Sequence, residues 1–430
     1  MTDVIDLYIE YGQESTDAPL IYHKALAYLI ASSLLGRFVK VITSYSPTGL
    51  APNLWVLLIG PSRIARKTTA MRLAVNVIKA VEPTLVMPAS FTPEALYEMF
   101  NNMNPGDAVV WVKDELGGFF KNLEKKYMYG VRELLSSLYV GHGETRRLRN
   151  LTLKIPDNIY VTAVGTMPTP PHNYLDEEDF ESGFMNRWIL AYASMRERRL
   201  PLLHQSQRAE SLLKDLIQII KGYINTLLSV TPIITTTKSA IDKLEEYDRY
   251  VDNQLEIIEQ MAPGSLFKLY YAETPTLLIK LSVLRRLARG DYDPSGIITV
   301  ELDDVIKALD DLNLFVDGAR QVIDDVQSSP RAKPVITEEK ALERIYNYIV
   351  SKREYGATYS ELLLKTRLLS KDLKEYLITL LEQDRIICIK TTSSHRGGRP
   401  VLKFYDSLYK NIALTVGQHV TPETLRSILR

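Results

Sequence analysis

The sequence predicts an α/β core of parallel strands flanked by helices, then an all-α bundle, then a small unit of three helices and a two-stranded ribbon. Three observations carry this. Between residues 37 and 199, strand-length apolar runs at 54–59, 108–112 and 158–166 alternate with helical periodicity. Residues 200–328 hold amphipathic runs at helical spacing and no convincing strand. After a breaker-rich linker at 328–334, residues 335–405 read as three helices and two strands, with a tail at 406–430.

The opening segment, 1–36, carries a stripe of Tyr22, Ala25, Leu26, Leu29 and Ile30 and a stop at Gly36, so it is expected to pack as helices beside the core. The first core strand is continuously apolar, as a strand covered on both faces must be. It ends at Gly60. A short loop, Pro61-Ser62-Arg63-Ile64-Ala65-Arg66, leads into Lys67-Thr68-Thr69, which open a helix with Ala70, Leu73, Ala74, Val77 and Ile78 on its apolar face. Strand, loop and helix in that order are what a nucleotide phosphate loop requires, with backbone N–H groups and the positive helix end converging on one anion. A chance Lys-Thr at a helix start is the alternative, and a second motif must decide.

Gly60, Ser62, Arg66, Lys67, Thr68 and Thr69 are therefore the expected ATP-binding residues. Lys67 would meet the terminal phosphates and the Thr68 hydroxyl would hold Mg2+. The loop departs from the usual pattern: Arg66 stands where a glycine directly precedes the lysine, and Gly60 lies one residue too far upstream. Glycine serves where a loop needs positive φ or close approach. Arg63 and Arg66 must then either add charge to the site or distort it.

The run 108–112 is another buried strand, and Lys113-Asp114-Glu115-Leu116-Gly117-Gly118 follows it. In phosphate-loop ATPases a hydrophobic strand expected beside the first ends in such a pair: the aspartate takes Mg2+ through water and the adjacent glutamate polarises the attacking water. Adjacent carboxylates also suit an ordinary helix N-terminus. The lysine-bearing loop at a workable distance favours catalysis. A third strand ends at Thr166, before Pro168. Between the second and third strands, 143–154 reads as a hairpin with a basic tip of Arg146, Arg147, Arg149 and Lys154, and Arg187 follows in the segment 181–188.

Pro52-Asn53-Leu54-Trp55 running into Gly60-Pro61-Ser62, then Lys113 to Gly118, then Gly165 to Pro168, then Ser182-Gly183-Phe184 and Arg187 resemble a known family. It is the uncharacterised helicase-like ATPase domain of plasmid, phage and integrated-element replication proteins, similar in turn to AAA+ and minichromosome-maintenance helicases. The resemblance covers residues 20–320 or so. It implies an α/β P-loop NTPase (AAA+-like) core, ATP and Mg2+ as ligands, and a homo-oligomer, a hexamer, with sites at subunit interfaces. Thr166 takes the place of the γ-phosphate sensor, Arg187 that of an arginine finger acting in trans, and the hairpin that of a DNA-gripping element. The expected function is an ATP-driven DNA motor, a replicative helicase or translocase of a mobile element or its host. The alternative is a DNA-binding initiator or regulator in which ATP is a structural switch or hydrolysis is lost; a third reading is a protein-remodelling NTPase.

The helical runs 212–228, 238–261, 276–288 and 300–326 are separated by Pro232, Pro263, Pro275 and Pro294 and stand in the position of an AAA+ lid. Lys280, Arg285 and Arg286 on the third run either reach ATP from the lid or form a solvated face. In the C-terminal unit, 338–352 is one helix, Thr358-Tyr359-Ser360-Glu361 is a capping box opening a second, and Ser370 caps a third over 371–383. The runs 386–390 and 401–405 make the ribbon. This arrangement resembles a winged helix.

Between 331 and 405 there are 15 Lys and Arg against 9 Asp and Glu. Lys365, Arg367, Lys371 and Lys374 cluster at the turn and the start of the third helix, while His395, Arg396 and Arg399 tip the wing, the places that meet DNA and its phosphates. Asp372, Glu375 and Glu382 dilute that helix, and winged helices also serve as protein contacts. The tail is expected to add one more helix from Thr421-Pro422-Glu423.

Over the whole chain 52 Lys and Arg balance 52 Asp and Glu, so any nucleic-acid surface is local. The single Cys388 excludes an intramolecular disulfide and fits a reducing cytoplasm. No basic and apolar leader opens the chain and no run is long enough to span a bilayer, so a cytoplasmic protein is expected. His142, His172 and His395 lack partners at ligand spacing and read as exposed loop residues, not a zinc site. Gly117-Gly118 and Gly397-Gly398 are too short for a dinucleotide fingerprint.

Overall fold

The computed structural model describes residues 3–44, 46–123, 128, 130–147, 152–201, 203, 206–328, 338–366, 370–391 and 401–428. The chain divides into two compact units, Met1–Ala332 and Lys333–Arg430. Among the described residues, the first is built on a five-stranded sheet in the order Val86–Met87, Ala108–Lys113, Tyr160–Pro168, Trp55–Gly60, Trp188–Tyr192. Every neighbouring pair is parallel. Parallel strands need crossover connections, and Lys67–Val81 and Pro93–Asn101 are helices in two of them.

The register decides what the sheet presents. The Ala108–Lys113 strand is not beside Trp55–Gly60 as expected, because Tyr160–Pro168 pairs with both and lies between them. Gly60 is opposite Pro168 and Lys113 opposite Gly165, so the carboxyl ends of the three motif-bearing strands still lie side by side. From Trp55–Gly60 the chain crosses to the far edge, while from Tyr160–Pro168 it passes to the opposite edge. Neighbouring strands whose connections diverge open a crevice at their carboxyl ends, where α/β sheets bind ligands.

Helix Leu20–Leu34, which carries the apolar stripe, packs on the sheet and is buried nearly all round, and Val4–Ser15 packs against it. Leu20–Leu34 holds both ends of the central strand. Ser32 Oγ donates to Pro52 O (2.9 Å) and accepts from Leu54 N (3.1 Å), and the Tyr22 hydroxyl donates to Ile59 O (2.6 Å). The helices Gln207–Ser229, Lys238–Met261, Leu266–Tyr271, Thr274–Arg289 and Leu302–Ser328 follow. Leu302–Ser328 lies against the edge strand Trp188–Tyr192 so closely that a Cβ at Gly318 would press on Leu190 O.

Two expectations for this region fail. Strands are present: Ile233–Thr236 and Ile297–Val300 pair in parallel. Each is a four-residue β-branched run, suited to a strand but too short to stand out between long helical runs. The basic residues of Thr274–Arg289 neither form a solvated face nor reach the loop 61–66. Lys280 Nζ donates to Asn53 O (3.1 Å) and Oδ1 (2.8 Å) and lies 3.9 Å from the Tyr139 ring centroid. Arg285 donates to Asp311 and Asp6, each at 2.6 Å, and to the Tyr28 hydroxyl at 2.8 Å, and Arg286 donates to Asp291 at 3.0 Å. The helix is covered on several sides, and carboxylates from other elements meet its cations.

In the second unit, helices Glu338–Ser351, Tyr359–Thr366 and Ser370–Glu382 accompany an antiparallel sheet ordered Ala357–Thr358, Leu402–Asp406, Ile386–Thr391, Gly417–Val420 among the described residues, its first strand lying between the first two helices in the chain. The capping box is formed: Glu361 N donates to Thr358 Oγ1 (3.2 Å) and Thr358 N to Glu361 Oε2 (2.8 Å). The ribbon gains two short outer strands. The tail is correspondingly richer than one helix, with Lys410–Val416, the strand Gly417–Val420 and Pro422–Ile428. Residues 417–420 are too few to show a period, and pairing with Ile386–Thr391 makes them a strand.

Candidate active site at the carboxyl ends of the strands

Gly60 closes the central strand in a place with no room for a side chain. A Cβ there would collide with Ala193 O, the Tyr22 hydroxyl and Ala65 Cβ. The loop then turns, with Ala65 N donating to Pro61 O at 3.2 Å, and enters the helix Lys67–Val81. Arg63 (φ 64°) and Arg66 (φ 54°) both take the left-handed conformation usually left to glycine. Arg66 thus has a backbone geometry that glycine would adopt freely. Its guanidinium turns away to Asp17, with Nε to Oδ1 at 3.2 Å.

No side chain caps the first turn of Lys67–Val81, which leaves the amide donors of a helix N-terminus directed at the loop. Lys67 is 7% exposed and its Nζ donates to Gly60 O at 2.5 Å. Burial pulls its pKa below the ordinary lysine value, while the charges of Asp114 and Glu115 oppose that shift.

Three side chains from three segments meet beside it. Thr68 Oγ1 (3.0 Å) and Thr166 Oγ1 (2.6 Å) both donate to Asp114 Oδ1. Glu115 N donates to Thr166 Oγ1 at 3.1 Å. Glu115 has φ 54°, a left-handed conformation that ends the strand sharply and leaves its residue exposed beside the cluster. Close packing supports the turn, since a Cβ on Gly165 would meet Leu116 and one on Gly117 would meet Tyr174.

The structure therefore brings Gly60, Lys67, Thr68, Asp114, Glu115 and Thr166 to one place. Ser62 and Thr69 are exposed on the loop and first helical turn. Arg187 lies elsewhere, in the single turn Met185–Arg187 before Trp188–Tyr192, where it donates to Gly183 O. Trp188 is opposite Trp55, so Arg187 is at the other end of the sheet from Gly60, about 17 Å away by strand rise alone. It cannot serve the loop of its own chain.

Strands Thr145–Arg147 and Thr152–Lys154 pair antiparallel, as the hairpin reading expects. Lys154 is exposed. Arg149 and the side chains of Arg146 and Arg147 lie outside the described residues, as do Arg367, His395, Arg396, Arg399 and the Lys371 side chain. Lys365 is exposed and Lys374 half-buried. His172 differs from its expectation: it is half-buried, and its Nδ1 and backbone N both lie 3.0 Å from Asp325 Oδ2. No helix among the described residues is long and apolar enough to cross a membrane.

Sequence reasoning missed Asp17 and Arg196, and named Asn53 in a motif without giving it a role. Asn53 Nδ2 donates to Tyr139 O (2.8 Å) and Val161 O (3.2 Å) while its oxygens receive Lys280, so it ties the amino end of the sheet to the helical region. Nothing local in the sequence marks Asp17 or Arg196, whose partners are distant along the chain.

Fold and cluster define a mixed α/β protein with a parallel five-stranded sheet and a polar site at the carboxyl ends of three neighbouring strands. The chain matches no family model and no curated protein.

The residues present fit a magnesium nucleotide. An uncapped helix start and a lysine held at the loop suit phosphate, and a hydroxyl beside a carboxylate supplies the hard oxygen donors that Mg2+ prefers.

Proposed function

We propose that this chain is a phosphate-loop ATPase of the AAA+ type that works as an oligomeric DNA motor. The observation that carries the reading is the meeting of Lys67, Thr68, Asp114 and Thr166, from two strand ends and a helix start, at one crevice. The sheet order supports it, since the strand bearing Thr166 lies between the loop strand and the Asp114 strand. Lys67 would hold the terminal phosphates, and Thr68 and Asp114 would hold Mg2+, which supplies charge neutralisation when bound. Thr166 fixes Asp114 by its hydroxyl, and Glu115 would accept a proton from the attacking water. Arg187, remote from its own loop, suits action on a neighbouring copy. The hairpin and the C-terminal unit, which we read as a winged helix, would contact DNA.

The second reading, an initiator or regulator in which nucleotide acts as a switch, is favoured by the two left-handed arginines in the loop. ATP turnover measured with and without single-stranded and duplex DNA, across protein concentration and beside Lys67→Ala, separates the two. The motor requires turnover that rises with DNA and with assembly and disappears in the variant. Nucleotide and DNA binding without turnover would establish the switch.

A further inference from the structure

Asp17 lies in the short break between Val4–Ser15 and Leu20–Leu34, 7% exposed, and its two oxygens hold two arginines. Oδ1 accepts Arg66 Nε at 3.2 Å and Oδ2 accepts Arg196 NH1 at 2.7 Å. Arg66 is the residue immediately before Lys67. Arg196 comes from the segment after Trp188–Tyr192, whose start touches the loop strand: Ala193 N donates to Ile59 O at 2.9 Å. Arg198 NH2 adds a bond to Thr16 O at 3.3 Å, so the break is held to this segment twice.

The left-handed conformation of Arg66 is one an L-residue enters against its steric preference. That conformation sets the direction of the Lys67 amide and of the helix start. Glycine would adopt it freely; an arginine needs something to hold it there.

We propose that Asp17 is a positioning residue for the phosphate loop, acting through Arg66, and that Arg196 completes it by engaging the second carboxylate oxygen. The N-terminal break thus supplies from outside the loop what glycine supplies from within. The inference rests on the nucleotide-binding reading of the site. It assigns Arg66 to the loop's shape and not to the phosphates.

The test is the affinity of the full chain for Mg-ADP and for a non-hydrolysable Mg-ATP analogue, measured by calorimetry alongside thermal melting. Asp17→Ala should weaken binding about fivefold, the scale of the partly exposed ion pair by which it holds Arg66. Adding Arg66→Gly to Asp17→Ala should restore most of that loss, because glycine needs no anchor. Arg196→Ala should show a smaller loss, and Asp17→Asn serves where Asp17→Ala does not fold. A double variant that binds no better than Asp17→Ala alone, or unchanged affinity in both Asp17 variants, overturns the proposal. Lys67→Ala distinguishes the levels: binding by the wild type that Lys67→Ala abolishes and the Asp17 variants leave intact removes only the role of Asp17. No binding by the wild type removes the nucleotide site as well.

Discussion

Two lysines stand at the two ends of one strand. Lys67 Nζ donates to Gly60 O at the carboxyl end of Trp55–Gly60, and Lys280 Nζ donates to Asn53 O just before its amino end. Both are buried, and burial lowers both pKa values, that of Lys280 to about 7. Their surroundings differ. Lys67 faces the charges of Asp114 and Glu115 beside an uncapped helix start, whereas Lys280 lies over the Tyr139 ring and is repelled by Arg187 as well as attracted by Glu273. A lowered lysine pKa therefore does not by itself mark a binding site. Carboxylates, hydroxyls and free amide donors directed at the same space make one of them a candidate and leave the other structural.

The largest effect expected at the Lys280 end belongs to Arg187. Arg187→Ala should lower turnover by roughly 10³-fold or more while nucleotide affinity holds. Mixing it with Lys67→Ala should restore part of the activity, each chain supplying what the other lacks. A mixture as inactive as its parents would take Arg187 out of the reaction and leave that end of the sheet purely structural.

Lys67→Ala should reduce turnover by roughly 10² to 10³-fold, as loss of one preorganised cation or donor does, with little change in melting temperature. Large destabilisation instead would make Lys67 a second Lys280, and the contrast between them would collapse.

Lys280→Met should do the reverse, keeping turnover and costing about 1–3 kcal/mol of stability at pH 9, because two Asn53 oxygens lose their donor. The pH sense follows from the lowered pKa. Between about pH 7 and the ordinary lysine value near 10.4 the unfolded chain binds more protons than the folded one, so this group makes wild-type stability rise with pH. The variant lacks that rise. Its deficit should be smaller at pH 7 than at pH 9 in denaturant titrations, and equal deficits at both would mean that Lys280 keeps an ordinary pKa.

Much of the candidate site was legible because its signals are local. A strand that ends in glycine, a Lys-Thr helix start and an Asp-Glu pair after a second apolar run lie within a few residues of their own structural cause. The capping box at Thr358 and Glu361 was legible for the same reason. The short strands at 233–236, 297–300 and 417–420 were not, since a period cannot be read from four residues and pairing decides them. Arg285 misled for a related reason: on the sequence it is a cation on an amphipathic helix, and only packing brings Asp6, Asp311 and the Tyr28 hydroxyl around it.

By itself the sequence determined the alternation of strands and helices and the residues that open the loop, because backbone propensity and apolar period act over a few neighbours. The tertiary structure alone decided that Arg66 turns to Asp17, that Lys280 is sealed under Asn53 and Tyr139, and that Arg187 stands at the far end of the sheet. A helical stripe states that a face will be covered and is silent on what covers it. The partner of a long charged side chain is set by register and packing between segments far apart in the chain.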